Sequence, residues 1–399
     1  MDFQASAASR NIQPSATLKL NALVQEMRAK GHDIIGLAAG EPDFNTPAHI
    51  IDAAKQAMSE GCTRYTPVSG IPQLKKAIID TLLKDKNLLY ENKNILISMG
   101  AKQALYQALR VILNPGDEVL LPAPCWLSYK EMITMCSAVP VPIHTTAEQG
   151  YVPDIESFYE KYTDRTKLIL INSPNNPTGA VWERKILKEI AEFAKDKNLL
   201  ILSDEIYEKI VYGDAHHVSI AALSEDAKER TVVVNGFSKA YAMTGWRLGY
   251  SSGNEKIIAA MDAYQSHAAG CPNSIAQYAA VEALNGTQKP LYDMVQVFNR
   301  RRELMVDLIN DIPNVRCFEP KGAFYVLLDI SPCLNMKCHG TPITSDMDFA
   351  HLLLAHNRVS AVPGNSFYAP NCLRLSYAVK DENIFEAMKR LKEFVLSLD

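Results

Sequence analysis

Little in this 399-residue sequence marks a membrane-spanning, nucleic-acid-binding or disulfide-built protein. No apolar run approaches the roughly 20 residues that a membrane span needs. The N-terminus, Met1-Asp-Phe-Gln-Ala-Ser, lacks the charged head and apolar block of an export signal. Neither sign of charge dominates: 41 basic against 45 acidic side chains leave a net −4, which gives no electrostatic case for nucleic acid or an anionic membrane. The eight cysteines are too sparse for a disulfide scaffold and never form Cys-x-x-Cys. Cys333, Cys338 and nearby His339 are the only trio worth checking as metal ligands, and a second ligand pair at zinc spacing is missing, so no metal is expected. Neither His-x-x-x-His nor Gly-x-Gly-x-x-Gly occurs, which argues against a helix-borne zinc site and against a nicotinamide-dependent dehydrogenase. The expectation is a reduced, cytoplasmic protein, and at 47% hydrophobic it can build a large core.

What the sequence does have is alternation. From about Ile95 to Gly253, the short apolar runs Ile95–Met99, Glu118–Pro122, Lys167–Asn172, Leu199–Ser203, Thr231–Asn235 and Leu248–Ser251 read as strands. Helix-like stretches such as Ala101–Leu113 and Trp182–Lys197 lie between them. The pattern predicts an α/β fold around a mostly parallel sheet. After Pro290 the texture changes to a long helix (Leu291–Ile312), a strand (Ala323–Asp329) and a second helix (Met347–His356). A short strand pair, Val359–Val362 with Leu373–Tyr377, and a final helix, Glu382–Ser397, complete an α+β tail. Residues 11–45 do not fit the alternation and are expected to pack with that tail. The expected organisation is a large domain over residues 48–288 and a smaller α+β domain from 1–47 and 289–399.

Chemistry concentrates at the carboxyl ends of the predicted strands, where parallel sheets keep their ligand crevices. The run Thr231–Val234 delivers Lys239 onto a small-residue turn, with Arg247 eight positions later. A lysine amine becomes a useful nucleophile only where its surroundings stop it holding a proton permanently. The chemistry that most often asks for one such lysine is a Schiff base with an aldehyde cofactor. A solvated surface lysine is the plainer alternative, and four other segments weigh against it. Ser173-Pro-Asn-Asn176-Pro-Thr-Gly179, Ser203-Asp204-Glu-Ile-Tyr207, Met99-Gly100-Ala101-Lys102 and Pro124-Cys-Trp126 each follow a predicted strand. Singly, Asp204 could cap a helix, Asn176 could form a turn and Trp126 could fill the core. A structural sheet edge does not need all of them together.

Jointly and in this order, Ser-Pro-Asn-Asn-Pro-Thr-Gly, Ser-Asp-Glu-Ile-Tyr and Ser-Lys-x-x-x-Met-Thr-Gly-Trp-Arg resemble the class I aminotransferases that use pyridoxal phosphate. Within them the chain is most similar to the bacterial-type aspartate aminotransferases, from Pro14-Ser-Ala-Thr17 through Gly40-Glu-Pro-Asp43 to Arg374-Leu-Ser-Tyr377. The resemblance implies fold type I of the pyridoxal-phosphate enzymes and a homodimer with shared active sites. It implies that Lys239 carries the cofactor and shuttles a proton, and that Asp204 pairs with the ring nitrogen. Tyr207 and Asn176 would bond the phenolic oxygen, and Trp126 would stack on the ring. Gly100, Ala101, Lys102, Ser238 and Arg247 would hold the phosphate, joined by Tyr65 of the neighbouring subunit. Gly236 stands where many relatives carry a serine, so Ser238 is the hydroxyl to expect there. Arg374 and the N–H of Gly40 would take the substrate's α-carboxylate, with Asn176 and Trp126 beside it.

Lys102 and Thr17 match positions to which the family's distal-carboxylate recognition is attributed, and Ser15 lies beside the second. That implies aspartate or glutamate, with a 2-oxo acid such as 2-oxoglutarate, in a ping-pong transamination. Gln13 stands where prephenate-using relatives carry a basic residue, which reads against that side activity. An aminotransferase of broader or aromatic/aliphatic specificity, or a C–S β-lyase, would use the same scaffold with a different pocket. A cofactor-sensing regulator would need an added DNA-binding module with a basic face, which is not expected here.

Overall fold

The computed structural model describes Gln4, Arg10, Ile12 and residues 16–399, the side chains of 16–19 and 21 excepted. Seven strands form its main sheet: β1 (Ile95–Ser98), β2 (Glu118–Ala123), β3 (Val139–His144), β4 (Thr166–Asn172), β5 (Leu200–Asp204), β6 (Thr231–Gly236) and β7 (Gly249–Ser252). Their order is β1-β7-β6-β5-β4-β2-β3. Only β7 runs antiparallel to its neighbours; the remaining pairs are parallel. This is the α/β architecture the alternation predicts, with each of the six expected strands within two residues of its place. Every residue of β1, β2 and β6 is buried, as continuous apolar runs require when helices cover both faces of a sheet.

Strand β3 was not expected. Its sequence, Val139-Pro-Val-Pro-Ile-His144, carries two prolines, which normally argue against a strand. It lies at the sheet edge, where a missing N–H need not cost a ladder hydrogen bond. The helix Ala101–Ile112 buries Ala104, Leu105, Ala108, Leu109 and Ile112, a stripe at intervals of three and four that fixes it against the sheet.

A second, antiparallel sheet is built in the order Val362–Pro363, Cys372–Ser376, Tyr325–Asp329, Arg316–Cys317. The expected pairing of Val359–Val362 with Leu373–Tyr377 is only partly right. Val362–Pro363 pairs with the later strand, but Val359–Ser360 pairs in parallel with Ile35–Gly36. The chain changes partner at buried Ala361, and the N-terminal segment is thereby stitched to the tail. The largest apolar cluster runs from Ile50 and Leu74 through Val233 to Phe349 and Phe394, so one core reaches both sheets. Among the described residues no helix is long and apolar enough to cross a membrane.

Candidate active site

Parallel strand ends gather the polar residues. Asn172 closes β4 and Asp204 closes β5, while Lys239 follows β6, Trp126 follows β2 and Gly100 follows β1. Gly40, Ala101, Lys102, Trp126, Asn176, Asp204, Tyr207, Ser238, Lys239, Arg247 and Arg374 all line one cavity of about 270 Å³. Gly100 is the N-cap of the helix Ala101–Ile112, whose first two residues line the cavity. Tyr65 does not join them: it is 98% exposed on the outer surface. Gln13, Ser15 and the side chain of Thr17 lie outside the described residues.

Lys239 donates from Nζ to the carbonyl of Gly40 at 2.5 Å. What surface the side chain keeps belongs to the cavity. Burial draws its pKa down to about 8; the Arg374 and Arg247 charges help, while Glu41 and Asp204 oppose. An appreciable fraction is therefore neutral near physiological pH.

Asp204 is buried, and its Oδ2 accepts from the Tyr129 hydroxyl at 2.7 Å. Its Oδ1 accepts from the Ile206 N–H at 3.1 Å, so the turn-capping role holds alongside any other. Burial pushes the carboxyl up to about 6, against both of those donors. Neither partner is a cation. Burial also raises the Tyr207 phenol well above its usual range, followed by the neighbouring Tyr325, whose hydroxyl lies 3.0 Å away. Tyr207 is therefore held as a phenol and not a phenolate.

Arg374 is buried, with its guanidinium 4.4 Å from the Tyr325 ring centre and 5.0 Å from that of Phe367. Nη1 donates to Asn176 Oδ1 at 3.1 Å and Nη2 to the Ala38 carbonyl at 2.9 Å. The Nε–H has no acceptor among the described residues. A buried, charged donor left unspent calls for an anion.

A second corner of the cavity, around Gly100 and Arg247, suits another anion. Gly100 has φ +86°, and no side chain caps the helix it begins. A Cβ there would come within 2.6 Å of Arg247 Nη2. Arg247 itself takes a left-handed backbone (φ +52°), and its Nη1 donates to the Thr244 carbonyl at 2.9 Å. Gly236 is explained by packing: a Cβ there would lie 3.0 Å from the Leu248 carbonyl oxygen and 3.1 Å from Gly249 Cα. With glycine at 236, Thr244 and the buried Ser238 bring hydroxyl-bearing side chains to this cavity. Lys102 lies 4.8 Å from the centre of the Trp126 ring. Burial and then Arg247 lower its pKa.

Asn172, Tyr129 and Tyr325 are among the cavity residues that escaped the sequence reading. Asn172 could have been noticed as the polar residue ending an apolar run. Its Nδ2 donates to the Asp204 carbonyl at 3.0 Å, and its Oδ1 accepts from the Asn176 N–H at 3.0 Å. Tyr129 and Tyr325 carried no such signal, since aromatics in a helix and a buried strand read as core. Cys333, Cys338 and His339 do not appear as a ligand trio. Among the described residues the trio within reach of a common ion is Glu205, Glu208 and His217, and the Lys86 ammonium pairs with both of its carboxylates.

Pyridoxal phosphate would need an amine, a carboxylate for its ring nitrogen and a cationic, donor-rich cradle for its phosphate. Lys239, Asp204 with no cation hydrogen-bonded to it, and the Gly100–Arg247 corner meet those needs together.

Comparison with known proteins agrees with that fit. The family model described as "Aminotransferase class I and II" matches residues 32–391. The aspartate aminotransferase of Bacillus sp. (strain YM-2) is 45% identical over 386 residues, 97% of each chain. The aspartate aminotransferase of Rhizobium meliloti superposes with a TM-score of 0.96 at 39% identity, covering 100% of both chains. That of Thermus thermophilus, solved with maleate, gives 0.92 at 38% identity over 98% of this chain and 100% of the other. An amine of lowered basicity, a buried acid without a cation and a match over nine-tenths of the sequence converge: the chain belongs to the class I and II aminotransferases and is a pyridoxal-phosphate-dependent aminotransferase.

Proposed function

We propose that this enzyme moves the amino group of aspartate or glutamate to a 2-oxo acid such as 2-oxoglutarate by a ping-pong mechanism. The observation that carries the proposal is that two cations without an ion pair among the described residues, Arg374 and Lys102, line the same cavity. Arg374 offers its unspent Nε–H for the α-carboxylate, and Lys102 stands over Trp126 as a second cation for a distal carboxylate. The maleate with which the Thermus thermophilus enzyme was solved is a dicarboxylate, which supports the same choice.

When bound, pyridoxal phosphate supplies a cationic ring that takes up the electron pair left at the substrate Cα. Asp204 would hold a proton on the ring nitrogen as the paired carboxylate. Tyr207 and Asn176 would orient the phenolic oxygen, and Trp126 would lie on the ring face. The N–H groups of Ala101 and Lys102, behind Gly100, would bind the phosphate with Ser238 and Arg247. Lys239 Nζ, with a pKa of about 8, would take the Cα proton as a base and return it as an acid. The Gly40 N–H would share the α-carboxylate with Arg374.

The same reading makes residues 48–288 the cofactor-holding domain and 1–47 with 289–399 the domain that closes over the substrate. It makes the functional unit a homodimer. An aromatic side chain as exposed as Tyr65 has a use if it reaches the phosphate in the partner's cavity. Eight free cysteines fit a reducing, cytoplasmic setting.

Purified protein should absorb in the visible, change on adding aspartate and change back on adding 2-oxoglutarate. Lys239→Ala should bind the cofactor without turning over. A response to aromatic or aliphatic donors but not aspartate, or pyruvate release from cysteine conjugates, would replace the substrate assignment.

A further inference from the structure

We propose that Arg301 is a positioning residue for the substrate end of the site: by clamping Asp43 to Asp381 it fixes the strap 40–46, which carries Gly40 against Lys239. The inference rests on the proposed roles of Gly40 and Lys239. Arg301 lies on the helix Lys289–Asn310 and is only 6% exposed. Its Nη1 donates to Asp43 Oδ1 at 2.7 Å and its Nε to Asp381 Oδ1 at 2.9 Å. Three segments far apart in sequence thus meet at one guanidinium.

The strap is tied on two sides. Toward the lysine loop, Thr244 Oγ1 donates to Glu41 Oε2 at 2.9 Å and Thr46 Oγ1 to the Ala242 carbonyl at 2.7 Å. Trp246 Nε1 donates to Thr46 Oγ1 at 2.9 Å. Toward the C-terminal half, Asp43 meets Arg301, and Phe44 packs edge-on to Phe298 with Arg301 5.5 Å from its ring centre. Arg301 therefore makes both the polar and the cation–π contact on that side. The Gly40 peptide, whose carbonyl takes the Lys239 hydrogen bond, directly precedes the tied residues Glu41, Asp43, Phe44 and Thr46. A strap held on one side only would let that peptide drift, and small misplacements at a reacting centre are costly.

Arg300 provides an internal control. Among the described residues its ion pair is with Asp381, and its side chain is 62% exposed. In the holoenzyme, Arg301→Met and Asp43→Asn should each raise KM for aspartate by about tenfold, with kcat within about threefold. Arg301→Lys should recover part of the loss, and Arg300→Met should stay within about twofold of the parent. Hydrogen exchange of the amides from Gly40 to Phe44 should quicken in Arg301→Met, with β5 and β6 unchanged. Unaltered exchange in the strap, an equal effect in Arg300→Met, or a fall in kcat at constant KM would each overturn the proposal. Failure of the underlying functional reading is distinguishable, because the parent enzyme would then not process aspartate at all, while strap exchange would still report on Arg301.

Discussion

Asp204 and Glu205 are consecutive, both buried, and stand at the end of one strand, yet their surroundings treat them oppositely. Glu205 sits in a closed cluster. Lys86 Nζ lies 2.6 Å from its Oε2 and His217 Nε2 3.1 Å, while Ser203 and Ser219 donate to Oε1 at 3.0 and 2.7 Å. Burial alone would raise its pKa, but Lys86 and His217 outweigh burial and hold it far below the usual carboxylate range. Asp204 receives only a phenol and a peptide N–H, and burial wins. A buried carboxylate supplied with its own cation serves the fold. One left without is a place where a cation must come from elsewhere, which is where a protonated pyridine ring would go.

The sharpest way to break that contrast is to remove the unsatisfied charge. Asp204→Asn keeps the side chain's shape and loses the carboxylate, so nothing would hold the ring proton. Turnover should fall by about a thousandfold, near the usual range for a lost acid–base partner, while the folded state survives. A variant retaining a tenth of the parent kcat would end the assignment of Asp204. Lys86→Met attacks the closed cluster instead. It strands Glu205 and Glu208 without their shared cation and should cost about 3–5 kcal/mol of stability, read from the denaturant midpoint at constant slope. A loss below about 1 kcal/mol would mean that solvent replaces Lys86 easily.

Titration of the cofactor-free protein should show the two carboxylates pulling in opposite directions. The folded-state pKa of Asp204, about 6, lies above its unfolded value of 3.8, so the folded state binds the extra proton between them. Its contribution to stability is present below about pH 4 and is lost as pH rises through 6, about 3 kcal/mol in all. Glu205 has the opposite sign: its contribution is present above its unfolded value of 4.5 and is lost as pH falls toward its depressed folded pKa. Asp204→Asn should therefore remove the decline between pH 4 and 6 and leave the acid-side loss in place. An unchanged profile between pH 4 and 6 would show that Asp204 is not desolvated as its burial implies.

Much of the cavity wall was legible in sequence because parallel sheets put their ligand residues just past strand ends, and strands announce themselves as apolar runs. Lys239, Asp204, Asn176 and Trp126 are all found that way. The Lys86–Glu205–His217 cluster was not, since its first pair joins residues 119 positions apart and nothing local marks either as buried. The same holds for Tyr325, a strand residue whose ring lies beside Arg374 only because Leu327 and Arg374 are register partners on adjacent strands. Strand β3 was hidden by its two prolines, which an edge strand tolerates.

The smallest effect expected concerns the two ends of the substrate. Arg374 is buried and held by Asn176 and Ala38, so its loss would affect every amino acid alike. Lys102 is more open, carries no ion pair among the described residues, and rests on Trp126 with its pKa lowered by burial and by Arg247. A cation destabilised in that way gains from any carboxylate brought beside it. Lys102→Ala should therefore raise KM for aspartate and 2-oxoglutarate by about tenfold, worth about 1.4 kcal/mol, and leave alanine or an aromatic donor within about twofold. The asymmetry is the informative quantity. An equal loss for all donors would place Lys102 with the phosphate through its backbone alone, and the preference for dicarboxylates would have to be sought on another wall of the cavity.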